Sequence, residues 1–203
     1  MFWSILVVFL FETVQNMNAM KYSLILSLIL LFIFPKVIAS QSNKAVLTLK
    51  DGTELSGYGK LRNFSKVKFK KSKNATPVDY KFNVVEKIEI TKDDGVETYV
   101  FLPIKGKGKP KALQQLVKGK VSLYRIRDWH AYDNGGIKDK YYLRRGEGDV
   151  VLFISSDPFS RSFKKAGSKY FKDCSSLVQK IKKKEFKKKN IEEAVKYYNS
   201  KCN

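Results

Sequence analysis

The sequence predicts an α+β protein in which a small antiparallel, barrel-like β module and a β meander precede a C-terminal helical pair. Short segments of alternating apolar and polar residues recur between residues 45 and 154, separated by glycine-containing turns. This period of two is typical of strands with one solvated face. Beyond residue 158 the apolar period becomes 3.6, which is typical of amphipathic helices. Both cysteines lie in this last part.

Residues 20–41 are expected to decide where the protein works. Lys21 provides a positive n-region, residues 22–34 form an apolar run, and Pro35 precedes small residues suited to cleavage. A secretory h-region spans about 7–15 residues, whereas a membrane-spanning helix needs about 20. We therefore expect a signal peptide within residues 1–40 and an exported mature chain, periplasmic or extracellular.

A second apolar run, residues 2–11, precedes Met20. It carries no basic residue and is too short to cross a bilayer, so translation is expected to begin at Met20. The alternative is a membrane-anchored protein that retains residues 1–40 as two hydrophobic helices. Glu12 and the short first run argue against this alternative.

The charge of the chain suggests its partners. Its 203 residues include 40 lysines and arginines and 19 acidic residues, for a net charge of +21. Such a surface attracts polyanions. Export makes nucleic acid an unlikely partner and favours anionic lipid or acidic polysaccharide. The alternative is that the lysines serve only solubility.

Residues 41–104 are expected to form the first β-rich module. Asp51-Gly52 lies between two alternating segments and predicts a hairpin turn, and Gly57 and Gly59 suit a bend. Residues 66–70 alternate lysine with apolar residues, and residues 93–95 predict the turn of another hairpin. In its turn spacing this module is similar to Sm-like or PRC-type barrels.

Residues 105–110 are expected to be a basic linker that separates this module from residues 111–203. Leu113, Leu116 and Val117 have helical spacing, so a short helix is predicted over residues 111–118. A meander is predicted from the alternating segments that follow, at residues 121–127, 140–145 and 149–154.

The helical pair begins with an apolar stripe from Phe163 to Ile181, and a cap is predicted to break it near residues 173–176. The final helix is predicted to start at Asn190, with Glu193 completing a capping box. Cys174 and Cys202 share the apolar faces of their helices. In an oxidising compartment such a pair predicts a disulfide, which would stabilise the fold by about 3 kcal/mol; two buried thiols are the alternative.

The tail joins Tyr170-Phe171-Lys172-Asp173-Cys174, a lysine-rich helix, and a Tyr-Tyr-Asn-Ser-Lys-Cys end at residues 197–202. In these motifs, and in the hairpin after the signal, the chain resembles small secreted proteins common in Bacteroidota. The resemblance implies an exported envelope protein of unknown role and implies nothing about catalysis.

Lysines dominate residues 180–189. On a helix they would form a basic surface with Phe186 beside them, suited to anionic lipid or another polyanion. The alternative is a solvated helix face. The lysines predicted to bind are Lys180, Lys183, Lys184, Lys187 and Lys188.

No catalytic, cofactor or metal site is predicted, so a non-catalytic binding or structural role is expected. Two cysteines and one histidine are too few for the usual four-ligand zinc site. The alternative is a hydrolase-like enzyme in which His130 is a general base oriented by Asp128 or Asp133. Its nucleophile would be one of four serines, none of which lies in a Gly-x-Ser-x-Gly turn: Ser122, Ser155, Ser156 and Ser160.

Overall fold

The computed structural model describes residues 42–62, 66–129, 137–155 and 162–202. The predicted signal segment, residues 1–40, lies outside these ranges. The strands are β1 (Asn43–Leu49), β2 (Glu54–Arg62), β3 (Lys66–Lys70), β4 (Val78–Lys81), β5 (Val85–Lys92), β6 (Gly95–Ile104), β7 (Lys107–Val117), β8 (Val121–Trp129), β9 (Ile137–Arg145) and β10 (Val151–Ser155). The helices are α1 (Phe163–Tyr170), α2 (Ser175–Lys182) and α3 (Ile191–Lys201), the last preceded by a 3₁₀ turn at Lys188–Asn190. The predicted α+β class, with a C-terminal helical pair, is confirmed.

All ten strands belong to one open antiparallel sheet. Their order is β10-β9-β8-β7-β6-β5-β1-β2-β3-β4. The predicted meander is therefore present as β8, β9 and β10, and the predicted hairpin at Asp51-Gly52 joins β1 to β2. In that hairpin Gly52 has φ 87°, and the Asp51 carboxylate accepts a hydrogen bond from the Thr53 amide at 2.9 Å.

The first half of the sheet curls around its own core. β4 and β5 are separated by three strands, which in a flat sheet would put them about 19 Å apart. Only three residues connect Lys81 to Val85, a path of at most about 14 Å. The sheet must therefore bend, and its concave face encloses Leu47, Phe69 and Ile88, all nearly inaccessible to solvent.

The second half curls towards the opposite face. An isolated parallel bridge pairs Ile104, at the end of β6, with Val150, the residue before β10, although three strands lie between β6 and β10 in the sheet. Tyr124, Tyr142 and Leu113 fill the enclosed space. Adjacent residues of β6 point to these opposite faces of the sheet. Phe101 belongs to the first core, whereas its neighbours Val100 and Leu102 pack against the second core, which contains Tyr124, Tyr142 and Leu113.

The helices cover the outer face of the second half. Leu123 and Leu143 alternate along their strands with the inward-facing tyrosines and point to the helices instead. There they pack with Leu177, Ile181 and residues of α3 in the third and largest core. The predicted break in the apolar stripe is confirmed, because Phe171 caps the end of α1 and Cys174 caps the start of α2.

Two predictions in the middle of the chain are wrong. Residues 105–110 are not a linker: Gly106, with φ 77°, forms a tight turn and β7 starts at Lys107. The helix predicted over residues 111–118 is wrong too, because residues 111–117 continue that strand. A β-bulge between Gln115 and Val117 shifts the register, which places Leu116 and Val117 against the same core. The bulge thus reproduces a helix-like apolar spacing within a strand.

Candidate anion-binding surface and the clusters that support it

The predicted cysteine pair is joined in the structure. Cys174 precedes α2 and Cys202 follows α3, with their Cα atoms 5.6 Å apart in a disulfide. Both residues are buried in the helical core. The bond spans 28 positions of the chain, and the lysine-rich segment lies inside this loop. The segment is therefore attached to the core at both ends.

A polar cluster lies beside the disulfide. Arg145, at the end of β9, contacts the Asp173 carboxylate at 2.7 Å, and the Tyr198 hydroxyl donates to the same carboxylate at 2.6 Å. The guanidinium also lies over the rings of Tyr170 and Tyr198, 5.5 and 5.0 Å from their centroids. The hydrogen bond from Arg145 lowers the pKa of Asp173, whereas burial raises the pKa of Tyr198. The cluster connects the sheet to α1 and α3 through charge-assisted hydrogen bonds.

A second anchor joins α3 to the turn before β8. The Asn199 side chain accepts from the Val121 amide at 2.8 Å and donates to the Val121 carbonyl at 2.9 Å. Gly119 leaves room for this amide, since a Cβ at that position would lie 2.4 Å from the Asn199 nitrogen. The ammonium group of Lys120 adds a bond to the Cys202 carbonyl at 3.1 Å. The last helix is thereby held at its C-terminal end.

The predicted lysine helix is shorter than expected. α2 ends at Lys182, and the Glu185 and Lys184 amides donate to the carbonyls of Lys180 and Ile181, at 2.9 and 3.1 Å. These two bonds form a Schellman motif. Lys184 occupies its left-handed position with φ 64°, where glycine is the usual residue. Residues 183–187 therefore form a turn, which we call the lysine turn, and not a helix face.

The structure divides the five predicted lysines into two groups. Lys180 pairs with Glu185 at 2.7 Å, and Lys188 donates to the Ser155 carbonyl at 2.7 Å, so both are used within the protein. The others, Lys183, Lys184 and Lys187, are exposed on the lysine turn. Lys182 and Lys189, which were not among the predicted residues, are exposed next to them.

The sequence predicted that Phe186 lies beside these lysines as part of the binding surface, but the structure gives it another position. It is half-buried against the helical core, with its ring centroid 5.8 Å from that of Tyr197. The predicted start of α3 at Asn190 is correct, but the capping box with Glu193 is wrong. The Asn190 side chain instead accepts from the Lys187 amide at 3.4 Å. Phe186 and Asn190 thus fix the conformation of the turn.

A row of polar side chains crosses four strands in the middle of the sheet and was not predicted. The Glu97 carboxylate accepts from Tyr99 at 3.1 Å and from Gln114 at 3.2 Å. Arg125 donates to the Gln114 carbonyl oxygen at 2.8 Å, and Arg127 pairs with Asp139 at 3.0 Å. These side chains lie on the same face as the first and third cores. Their mutual pairing gives the row a structural role between two apolar clusters.

Titration of Tyr99 tests this row. Burial, together with the Glu97 carboxylate, raises the pKa of Tyr99 to about 12. Spectrophotometric titration should therefore show a tyrosine that ionises near pH 12, and Y99F should remove that step. Since the folded pKa exceeds the ordinary value of 10, the stabilisation from neutral Tyr99 is complete below pH 10 and is lost as pH rises to about 12. If Y99F keeps the ionisation step near pH 12, that step belongs to another tyrosine and the prediction for Tyr99 is wrong.

Four residues of the hydrolase alternative lie outside the described residues: His130, Asp133, Ser156 and Ser160. Ser122 and Ser155 are buried, and Ser122 lies 3.5 Å from the Gly119 carbonyl. Within residues 42–62, 66–129, 137–155 and 162–202, no group of three His, Cys, Asp or Glu side chains could hold a metal ion.

No family model matches the chain, and comparisons with curated proteins and with solved structures also found no match. Among the residues that the structure describes, no helix is long and apolar enough to cross a membrane.

Proposed function

We propose that the protein is an exported, non-catalytic component of the bacterial envelope or exterior that binds anionic lipid headgroups through the lysine turn. The observation that carries this proposal is the exposure of Lys183, Lys184 and Lys187 on a turn whose conformation is fixed. Cations near an anionic bilayer contribute about 1 kcal/mol each. A turn that projects several cations from one point suits a flat charged surface.

The surroundings of the turn support the same proposal. Residues 162–202 contain thirteen lysines and four acidic residues, which places +9 of the total +21 in this part of the chain. Two of the four acidic residues, Asp173 and Glu185, are already paired with basic side chains. The field around the turn is therefore strongly positive and attracts anions over the Debye length.

Export is supported by two independent observations. The sequence before residue 41 has the features of a secretory signal. The Cys174–Cys202 disulfide is the state expected of cysteines in an oxidising compartment.

Cosedimentation with vesicles of phosphatidylglycerol and phosphatidylcholine tests the lipid-binding proposal. The triple variant K183Q/K184Q/K187Q should bind at least tenfold more weakly, because each lysine near the surface contributes up to about 1 kcal/mol. Binding of the unchanged protein should fall steeply as salt rises from about 0.01 M to about 1 M, since the Debye length shrinks from about 30 Å to about 3 Å.

The matched control is K50Q/K107Q/K109Q, which removes the same charge from exposed positions on turns and a strand end of the sheet. This variant should bind almost as well as the unchanged protein. Equal loss in both triple variants would show that net charge alone matters, and salt-independent binding would point to a retained hydrophobic segment. Either result would contradict a role for the lysine turn.

A further inference from the structure

A second basic surface lies on the outer face of β2, β3 and β4, away from the first core. Strand alternation directs Val67 and Phe69 inwards and the lysines between them outwards. The pairing then aligns basic residues across strands: Lys60 lies opposite Lys68, and Arg62 opposite Lys66, which lies opposite Lys81. We call this surface the cationic ladder, and its members are Lys60, Arg62, Lys66, Lys68, Lys70 and Lys81.

The fold itself does not require this arrangement. Like charges directly opposite each other on adjacent strands are destabilising, and any polar residue would satisfy the outward positions. Among the described residues of these three strands, two acidic side chains lie on this face. Glu54, at the start of β2, accepts from the Thr48 hydroxyl at 3.4 Å, and Asp79 lies opposite Lys68 and contacts Lys66 at 3.5 Å. The ladder thus retains a net positive charge that a bound anion would neutralise.

The spacing of the ladder favours a linear polymer. Alternate residues on a strand are about 6.7 Å apart and neighbouring strands about 4.8 Å apart. Two parallel rows of cations therefore run along β2 and β3. At one end of the rows Tyr58 lies opposite Lys70, and the Lys73 ammonium group is 6.0 Å from the Tyr58 ring centroid. An extended chain with regularly repeated negative charges fits these rows better than a single small anion.

The chemistry of this face distinguishes between polymers. Proteins that bind single-stranded nucleic acid combine cations with several aromatic stacking platforms, whereas Tyr58 is the one aromatic side chain on the outer face of the described parts of β2, β3 and β4. Membrane-binding surfaces add apolar side chains that enter the bilayer. The outward positions of β3 are all lysine, so the described face offers little for a bilayer to bury.

We propose that the cationic ladder binds a linear acidic polysaccharide that lies along β2 and β3. This site is separate from the lysine turn: the ladder occupies the β4 end of the strand order, whereas the helices pack on β7, β8 and β10 near the other end. The protein would then have two basic surfaces for two different anionic partners. The choice of a polysaccharide over nucleic acid rests in part on the proposed export. The binding of an anionic polymer by the ladder does not depend on export.

Binding of polygalacturonate and of heparin by the full protein tests this site, with isothermal titration at several salt concentrations. The variant K68Q/K81Q should weaken binding of both polymers at least tenfold at low salt. It should also reduce the magnitude of the slope of log affinity against log salt by about one to two. The reason is that binding releases about one counterion fewer for each lysine contact that is lost. The control K107Q/K109Q removes the same charge from exposed positions of β7 and should leave affinity and slope nearly unchanged.

Two further measurements complete the test. K68Q/K81Q should retain the circular dichroism spectrum and thermal midpoint of the unchanged protein. K60Q/R62Q is a second variant of the same ladder, with the same expected loss of polymer affinity.

Equal weakening by K107Q/K109Q would overturn the proposal in favour of net charge. Tighter binding of single-stranded DNA than of either polysaccharide would overturn the choice of polymer. Loss of vesicle binding in K183Q/K184Q/K187Q with unchanged polysaccharide affinity would support two separate surfaces, so the two proposals fail independently.

Discussion

The variant C174A/C202A is expected to unfold with a free energy about 3–4 kcal/mol below that of the unchanged protein. The disulfide joins residues separated by 28 positions, and its removal returns to the unfolded chain the entropy of an open loop of that length. Alanine at these two buried positions avoids placing new polar groups in the helical core. Urea unfolding at neutral pH measures the difference.

Reduction of the unchanged protein is the matched control, because it opens the loop without changing the sequence. The oxidised protein should have a mass about two units below that of the reduced protein, and reduction should shift the unfolding midpoint in the same direction as C174A/C202A. A loss below about 1 kcal/mol in both cases would show that Arg145 and Asn199 hold the helices without the disulfide. A free-thiol count of two in protein isolated from the envelope would contradict the disulfide itself.

The variant G57A is expected to lower the free energy of unfolding by about 3 kcal/mol or more. A Cβ at Gly57 would lie 2.2 Å from the Lys70 carbonyl oxygen and 3.0 Å from the Phe69 ring. The carbonyl belongs to the backbone of the neighbouring strand, so the strands must separate to admit the methyl group. Overpacking of this kind costs about 1–3 kcal/mol and occasionally more.

The matched control for this prediction is G108A. Gly108 also lies in a strand, but an added Cβ there meets no atom within 4 Å. This substitution should be neutral or slightly stabilising, because alanine restricts the unfolded chain. If urea unfolding shows equal stability for G57A and G108A, the tight curl of the first half does not depend on the close approach of β2 and β3.

Local patterns predicted most of the elements of this fold. Asp51-Gly52, the alternation at residues 66–70 and the segments of the meander all form strands and turns where expected, because their signals involve neighbours in sequence. The helical stripe and its break near Cys174 were also predictable. Periodicity placed both cysteines on buried faces, which was enough to expect their pairing.

Other features depend on contacts between distant residues. Leu113, Leu116 and Val117 satisfy a helical period, but pairing with β6 and β8 makes them a bulged strand, so tertiary contacts override the local signal. The lysine turn looked like a continuation of α2, because Lys184 gives no indication of a left-handed conformation. Its conformation follows from the Schellman bonds and from the packing of Phe186.

The sequence by itself determined the large positive charge and predicted most of the strands, the helical tail and export, since each prediction rests on composition or on short-range periodicity. Only the tertiary structure decided how one sheet curls towards opposite faces, because curvature results from strand pairing and core packing across the whole chain. It also decided which of the predicted lysines bond within the protein, because Lys180 pairs with Glu185 and Lys188 donates to the Ser155 carbonyl. Alignment of basic residues across β2, β3 and β4 likewise required the register, because a shift of one residue would turn every side chain to the other face.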